Sequence, residues 1–353
     1  MGSDKSRQTG RGAKSNPRNR FEGLEFVPEE GMERERGAAQ KTRFYDDLSE
    51  TIITYNSSPD IPFDASLNPY RGCEHGCAYC YARPTHEYLG FSAGLDFESK
   101  ILVKRKAPEL LKQALAAPKW KPQLVGMSGV TDPYQPVERR LALTRRCLQV
   151  LLDFRNPVGI VTKNRLLTRD LDLLGDMARR QLCHVSISLT TLDAELARVM
   201  EPRTSSPQGR LQAIAQLAEA GVPVGILLAP VIPGLNDHEI PSILKAAKEA
   251  GASHASYVLL RLPHGVKEVF FDWMDQEFPA RRNKVESRLR ELRGGKLNRA
   301  EFGERFSGQG IFAEQIRQLF SISRKREGMN SEPPAVNVRD FRRPASPQLE
   351  WSF

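Results

Sequence analysis

Val158-Gly-Ile-Val-Thr162, His184-Val-Ser-Ile-Ser-Leu189 and Val222-Pro-Val-Gly-Ile-Leu-Leu-Ala229 are short runs rich in Val, Ile and Leu, each followed by a longer stretch with helical spacing. Apolar runs of this kind suit strands covered on both faces, and their alternation with helices is the pattern of βα units in a parallel sheet. The helices between them carry one apolar stripe each: Leu141, Leu148 and Leu152; Leu171, Leu174 and Met177; Leu211, Ile214 and Leu217; Ile240, Ile243 and Leu244. Two of them end in Ala-Gly, at Ala220-Gly221 and Ala250-Gly251, where glycine takes the left-handed turn that stops a helix.

The same rhythm extends outward. Residues 124–129 and 255–262 read as further strands, and a helix opening at Pro108 with Leu110, Leu111 and Leu115 precedes the first of these. Residues 66–72 offer a first strand of poor apolar content. About six βα units result, too few for a full eight-unit barrel. The expectation is an α/β fold, a partial, open βα barrel in preference to a doubly wound sheet, with its chemistry at the C-terminal strand ends.

The chain has 353 residues, 40% hydrophobic and 27% charged, which excludes collagen-like, coiled-coil and wholly disordered classes. No run of eighteen apolar residues occurs and the first twenty positions are polar and basic, so neither a membrane span nor a signal peptide is expected, and the protein reads as cytoplasmic. The formal charge of +9 is unevenly spread. Residues 1–20 hold six basic residues against Asp4, and residues 281–353 hold sixteen against nine, so the stretch between is slightly acidic. The organisation expected is a basic, largely disordered N-terminal extension over 1–45, the barrel over 60–265, a helical region over 266–328 and a tail over 329–353. The basic ends read first as solubilising arms and second as DNA or RNA contacts. Within the helical region, Phe270, Phe271, Trp273 and Met274 suggest an amphipathic helix closing the barrel, with a basic helix following over 281–293.

Five cysteines stand at 73, 77, 80, 147 and 183. Cys147 lies on a leucine face and Cys183 precedes a strand, so both read as core. The others form Cys73-Glu-His-Gly-Cys77-Ala-Tyr-Cys80, three thiols within eight residues. A structural zinc site needs a fourth ligand, for which His75 and His86 are awkwardly spaced. A cubane iron-sulfur cluster fits better, because a tight loop can wrap three of its corners and leave the fourth iron open.

This C-x3-C-x2-C spacing, with Tyr79 before the last cysteine, resembles the signature of the radical S-adenosylmethionine (radical SAM) enzymes. Val161-Thr-Lys-Asn164, Val185-Ser-Ile-Ser188, Glu201-Pro-Arg-Thr-Ser-Ser206 with Arg210, and Pro223-Val-Gly-Ile-Leu-Leu-Ala-Pro230 are similar to the spore photoproduct lyase branch, the DNA repair photolyase type. The resemblance implies a radical SAM barrel in which Cys73, Cys77 and Cys80 hold a 4Fe-4S cluster. The open iron of that cluster binds S-adenosylmethionine, and one electron from a flavodoxin or ferredoxin splits it to a 5′-deoxyadenosyl radical that takes hydrogen from substrate. It further implies Tyr79 against the adenine, and Lys163, Ser186 or Ser188, and Arg210 around the methionine moiety.

The pattern departs from that branch at one point. Spore photoproduct lyase uses a cysteine as hydrogen donor at the end of the second strand, where this chain reads Gly129-Val-Thr-Asp132. Asp132 reads either as a site residue or as a turn former before Pro133, and Tyr81, His86 and Glu87 as candidates to face substrate. The expectation is a lyase-like radical SAM enzyme of a distinct subfamily acting on a nucleic-acid base. The alternatives are radical modification of a protein or tRNA, or a non-catalytic metal-binding nucleic-acid module.

Overall fold

The computed structural model describes residues 10–21 and 41–344. Strands β1 (Arg43–Asp46) and β2 (Ile53–Tyr55) lead to β3 (Ala65–Leu67) and β4 (Tyr70–Arg71). Helix α1 (Leu95–Ser99), β5 (Lys100–Val103), α2 (Ala107–Ala116) and β6 (Val125–Met127) follow. Next come α3 (Glu138–Leu141), α4 (Leu143–Phe154), β7 (Val158–Thr162), α5 (Leu171–Arg179) and β8 (Cys183–Ser188). The chain continues through α6 (Ala194–Met200), α7 (Pro207–Glu219), β9 (Val224–Val231), α8 (Ile240–Glu249) and β10 (His254–Leu259). It ends in α9 (Val266–Glu277), α10 (Pro279–Leu292) and α11 (Gly310–Arg326).

The main sheet runs in the order β10-β9-β8-β7-β6-β3-β2, with six parallel strands and antiparallel β2 at the edge. Each parallel strand is added on the same side of the last. A doubly wound sheet reverses its strand order midway, so this order selects the partial barrel. The first strand is shorter than expected because the chain leaves it at Asn68 and pairs Tyr70 and Arg71 with β5 in a separate three-stranded sheet. The loop over 294–309 spans the open side. Leu259 of β10 donates its backbone N–H to Phe306 O, while Arg305 and the Gly303 N–H hold Asp60 beyond β2.

Residues facing the helices, such as Ile160, Val185, Ile187, Ile226 and Leu228, are fully buried with the stripes of α2, α4, α5, α7 and α8. Each such side chain contributes about 2 kcal/mol of burial free energy. Cys147 and Cys183 belong to this core. The inward faces are more open: Val161, Ser186, Leu227 and Ala229 are only half-buried. The floor is plugged by three rings over three strand glycines. A Cβ on Gly126, Gly159 or Gly225 would stand within 2.7 Å of Phe63, His184 and His254 respectively. Both Ala-Gly helix ends take the expected left-handed turn, with φ of +71° at Gly221 and +102° at Gly251.

Helix α9 buries Phe270, Phe271, Trp273 and Met274 with Val285 and Leu289 of α10, Met200 and the loop residues Cys77, Ala78 and Tyr79. It therefore closes the top of the barrel over the cysteine loop. Three of the basic residues of α10 are paired with acids, Arg282 with Asp275, Arg288 with Glu291 and Arg290 with Glu286. No helix among the described residues is long and apolar enough to cross a membrane.

Parts of both extensions are described, and these parts pack on the barrel. Residues 10–21 pack on the barrel, with Arg11 and Ala13 buried, because acidic and backbone partners await them there. At the other end, Asn330 bridges to His254, Phe341 packs against Phe154, and Arg343 donates to carbonyls at the end of α2. Residues 1–9, 22–40 and 345–353, including Trp351, lie outside the described residues.

Candidate active site

The cysteine loop lies at the C-terminal ends of the strands and is gripped by buried polar groups. Its Cys73 N–H donates to Phe97 O, its Ala78 N–H to Met200 O, and the Arg83 guanidinium donates twice to Cys77 O. Glu74 accepts the Val137 N–H at 2.7 Å. His75, 1% exposed, sets Nδ1 at 3.4 Å from Asp132 Oδ2 and Nε2 at 3.2 Å from Asn164 Nδ2. Asp132 forms the turn expected before Pro133 and also meets the cysteine loop through His75. One oxygen accepts the Tyr134 N–H in an Asx turn and the Thr162 hydroxyl, and the other accepts the Lys163 N–H.

The three thiols are suited to a cluster in their chemistry. Cys73 and Cys77 are 7% and 6% exposed, and burial pushes all three thiols up in pKa, with Asp132, Cys80 and Cys77 adding to the rise at Cys73 and Glu201 and Cys80 to that at Cys77. Such a set keeps its protons until a cationic metal centre replaces them. No three Cys, His, Asp or Glu side chains among the described residues converge on one ion-sized position. A mononuclear zinc site requires that convergence, whereas a cubane takes each thiolate on a different iron.

Beside the loop, strand ends β7, β8 and β9 assemble a polar cradle. The Lys163 ammonium donates to Ser188 Oγ at 2.7 Å, Ala229 O at 3.0 Å and Thr190 Oγ1 at 3.2 Å, and pairs with Glu201 at 3.1 Å. It also lies 5.4 Å from the centre of the Tyr79 ring. Glu201 receives the Tyr79 hydroxyl, the Thr190 hydroxyl at 2.7 Å and the Arg210 guanidinium. Burial would raise the Glu201 carboxyl, but Arg210 and Lys163 hold it far below the usual carboxylate range.

Arg210, 1% exposed, is not a solvated helix arginine. It donates to Ser188 O, Ser205 O, Thr204 Oγ1 and Glu201, so it braces the cradle from behind. Ser186 lies one alternation below Ser188 on the same face of β8, half-buried and facing the lumen. Tyr81 is half-exposed and donates its hydroxyl to Gly129 O at 2.7 Å. Its hydroxyl thus lies against the turn that follows β6. A Cβ at Gly129 would meet nothing within 4 Å.

Two candidates do not face a substrate. His86 is buried, with Nε2 at 2.8 Å from Lys100 O and its ring against Phe91 and Phe97. Glu87 is buried under Arg20 at 2.7 Å. Conversely, Glu201, Thr190 and Asn164 received no role from sequence, and His75 was weighed only as an awkwardly spaced zinc ligand. Glu201 opened and Asn164 closed motifs already singled out, but what they contact lies on other elements.

The comparisons agree with this architecture. Residues 67–247 match the radical SAM superfamily model. The chain is 37% identical over 234 residues to an uncharacterised protein of Mycobacterium tuberculosis, covering 66% of this chain and 68% of that one. It is 24% identical over 220 residues to a protein of Pseudomonas phage M6 described as a radical SAM Nalpha-GlyT isomerase, covering 62% of this chain and 44% of the other. Spore photoproduct lyase complexed with dinucleoside spore photoproduct superposes with a TM-score of 0.61 at 16% identity, over 82% of this chain and 81% of the other. With a matching model over half its length and its three thiols at the mouth of a six-stranded partial barrel, the chain belongs to the radical SAM superfamily, whose enzymes use a 4Fe-4S cluster and S-adenosylmethionine.

Proposed function

We propose that Cys73, Cys77 and Cys80 hold the 4Fe-4S cluster and that the enzyme performs radical chemistry on a nucleic-acid base. The observation carrying this reading is the juxtaposition of a short loop holding three thiols, two buried and Cys80 half-buried, with the Lys163–Glu201 cradle. Bound there, the cluster and S-adenosylmethionine supply a radical that abstracts hydrogen from substrate.

The chain's own residues bind and orient. A methionine moiety carries an ammonium and a carboxylate, and the cradle offers the complement of each, the ionised Glu201 and the Lys163 ammonium. Ser188 and Ser186 line the same wall and add hydroxyl donors. The Tyr79 ring, fixed by its hydroxyl on Glu201, offers a flat face to the adenine. Arg210 positions Glu201 and the end of β8. Asp132 and His75 tie the cluster loop to the start of the β7 turn, so the iron site and the cradle keep a fixed separation. Helix α9 covers the loop with apolar side chains and excludes water.

A base-containing substrate is supported by one neighbour, the spore photoproduct lyase complexed with a dinucleoside photoproduct. The lumen mouth beside Tyr81 and Gly129 is the place for it. Because no thiol stands at Gly129, cysteine-dependent reversal of a thymine lesion is not the reaction proposed. The test is anaerobic reconstitution followed by reduction and addition of S-adenosylmethionine, alone and with thymine-containing oligonucleotides. 5′-Deoxyadenosine formed by the wild type and lost in Cys80→Ala supports the cluster assignment. Stimulation by an oligonucleotide, with a mass change in it, supports the substrate class, whereas stimulation only by tRNA or peptide overturns it.

A further inference from the structure

Residues 10–21 touch partners far away in sequence, and almost every one of them is anchored. The Arg11 guanidinium donates to Glu98 O at 2.5 Å. The next two backbone N–H groups, of Gly12 and Ala13, both donate to the Glu98 carboxylate, at 3.2 and 2.9 Å. The Ser15 carbonyl accepts the Leu95 N–H at 3.2 Å, and Asn16 brackets Asp96, accepting from its N–H and donating to its carboxylate. The Pro17 carbonyl accepts the Ser92 hydroxyl at 2.6 Å, and Asn19 donates to Glu87 O and Phe91 O. Arg20 pairs with Glu87, Lys14 with Glu277 of α9, and Phe21 stacks on Tyr88.

The segment also lies directly against the cysteine loop. A Cβ on Gly12 would stand 1.7 Å from Gly76 O and 2.8 Å from Ala78 N, both backbone atoms. A Cβ on Gly76 would stand 2.0 Å from the Glu98 carboxylate. Gly12, Gly76 and Glu98 thus meet in a junction with no space for a side chain, between the first and second cysteines of the loop. Gly94 repeats the device further along, since a Cβ there would be 2.0 Å from Ser15 O. Glu98 is fully buried and has Arg83 at 3.6 Å, the same arginine that holds Cys77 O.

We infer that residues 11–21 are a strap belonging to the iron-sulfur site, clamping the Gly76 turn through Glu98 and covering the loop backbone. The inference rests on the proposal that Cys73, Cys77 and Cys80 hold the cluster. A cluster bound by only three protein ligands depends on the loop that presents them, and outer groups that orient ligands control both affinity and access. The strap does this with backbone and buried polar contacts, while Asp132 and Asn164 hold His75 from the strand ends. Arg11, Lys14 and Arg20 are engaged with the protein itself, so this part of the basic extension is complementary to the slightly acidic barrel.

The test uses the full chain and three variants: Gly12→Val, which forces the strap off the loop, Asn16→Ala, which loosens it without a clash, and deletion of residues 1–21. Iron and sulfide are counted after anaerobic reconstitution, the cluster absorbance is followed in air, and thermal unfolding of the iron-free protein reports the fold separately. The expected result is a loss of cluster retention of about tenfold in Gly12→Val and the deletion. Asn16→Ala should fall between them and wild type, with its iron-free melting temperature close to wild type. Wild-type iron content and air half-life in Gly12→Val or Asn16→Ala would overturn the strap. Failure of the wild type itself to take up iron and sulfide would instead overturn the cluster assignment.

Discussion

The Lys163 ammonium and the Glu201 carboxylate lie 3.1 Å apart at the mouth of the barrel, joined by the Thr190 hydroxyl, which is within 3.2 Å of both. Glu201 is also the buried partner of Arg210. Removing its charge leaves two cations without a counter-ion, one of them inaccessible to water. Glu201→Gln should therefore lower stability by about 3 kcal/mol in denaturant unfolding, whereas Lys163→Met, at a more accessible position, should cost less. Both should weaken S-adenosylmethionine binding in equilibrium dialysis. A stability change in Glu201→Gln below about 1 kcal/mol would show that the pair behaves as a surface contact.

The five cysteines should separate into two classes. Cys73→Ala, Cys77→Ala and Cys80→Ala should each abolish cluster loading after reconstitution, measured as iron and sulfide per chain. Cys147→Ala and Cys183→Ala, whose side chains lie in the main core, should load normally and lose about 1 kcal/mol of stability from the cavity left behind. Cluster loss in either of the last two would contradict their assignment to the core.

Gly129 has a φ of +115° and open space where a side chain would project. Gly129→Ala should cost about 1 kcal/mol through backbone strain alone, with no steric relief possible from neighbours. Because the Gly129 carbonyl accepts the Tyr81 hydroxyl, the strained variant should also release Tyr81. Tyr81→Phe, which keeps the backbone, should lower stability by no more than about 1 kcal/mol. If Tyr81 works on substrate, Tyr81→Phe should alter turnover with oligonucleotide while leaving uncoupled 5′-deoxyadenosine formation intact.

The floor histidines make stability depend on pH. Burial lowers the pKa of both His184 and His254, the latter to about 4 with added repulsion from His184. Between the unfolded value of 6.5 and the folded value near 4, the unfolded chain binds protons that the folded one does not. The stability is therefore fully present above pH 6.5 and lost as pH falls towards 4, by roughly 2 kcal/mol. Melting temperatures from pH 7 to 4.5 should drop more steeply for wild type than for His254→Gln. His86, also lowered to about 4 by burial, leaves a residual slope in that variant. Equal slopes would show that His254 is hydrated in the fold.

Much of the barrel was legible because strand and helix periodicity is local. Residues 158–162 form a strand as read, and the other parallel strands deviate by a few residues at their ends. The choice between a partial barrel and a doubly wound sheet was not legible, since both alternate strands and helices and differ only in strand order. Nor were the three strand glycines, which make room for Phe63, His184 and His254, rings that belong to other elements.

By itself the sequence determined the parallel βα units and the close spacing of the three thiols in the Cys73, Cys77 and Cys80 loop. Both follow from residues close along the chain, whose spacing sets which side chains share a face or a loop. Tertiary structure decided which polar residues work together. It brought Arg210 inside to brace Glu201, turned His86 and Glu87 away from the lumen, and set Gly12 against Gly76. These outcomes depend on which groups must be paired once water is excluded, and their partners lie on separate elements. The N-terminal extension shows the difference most clearly: its composition is that of a disordered arm, yet the buried Glu98 carboxylate and a loop with no space for a Cβ give residues 11–21 a defined seat.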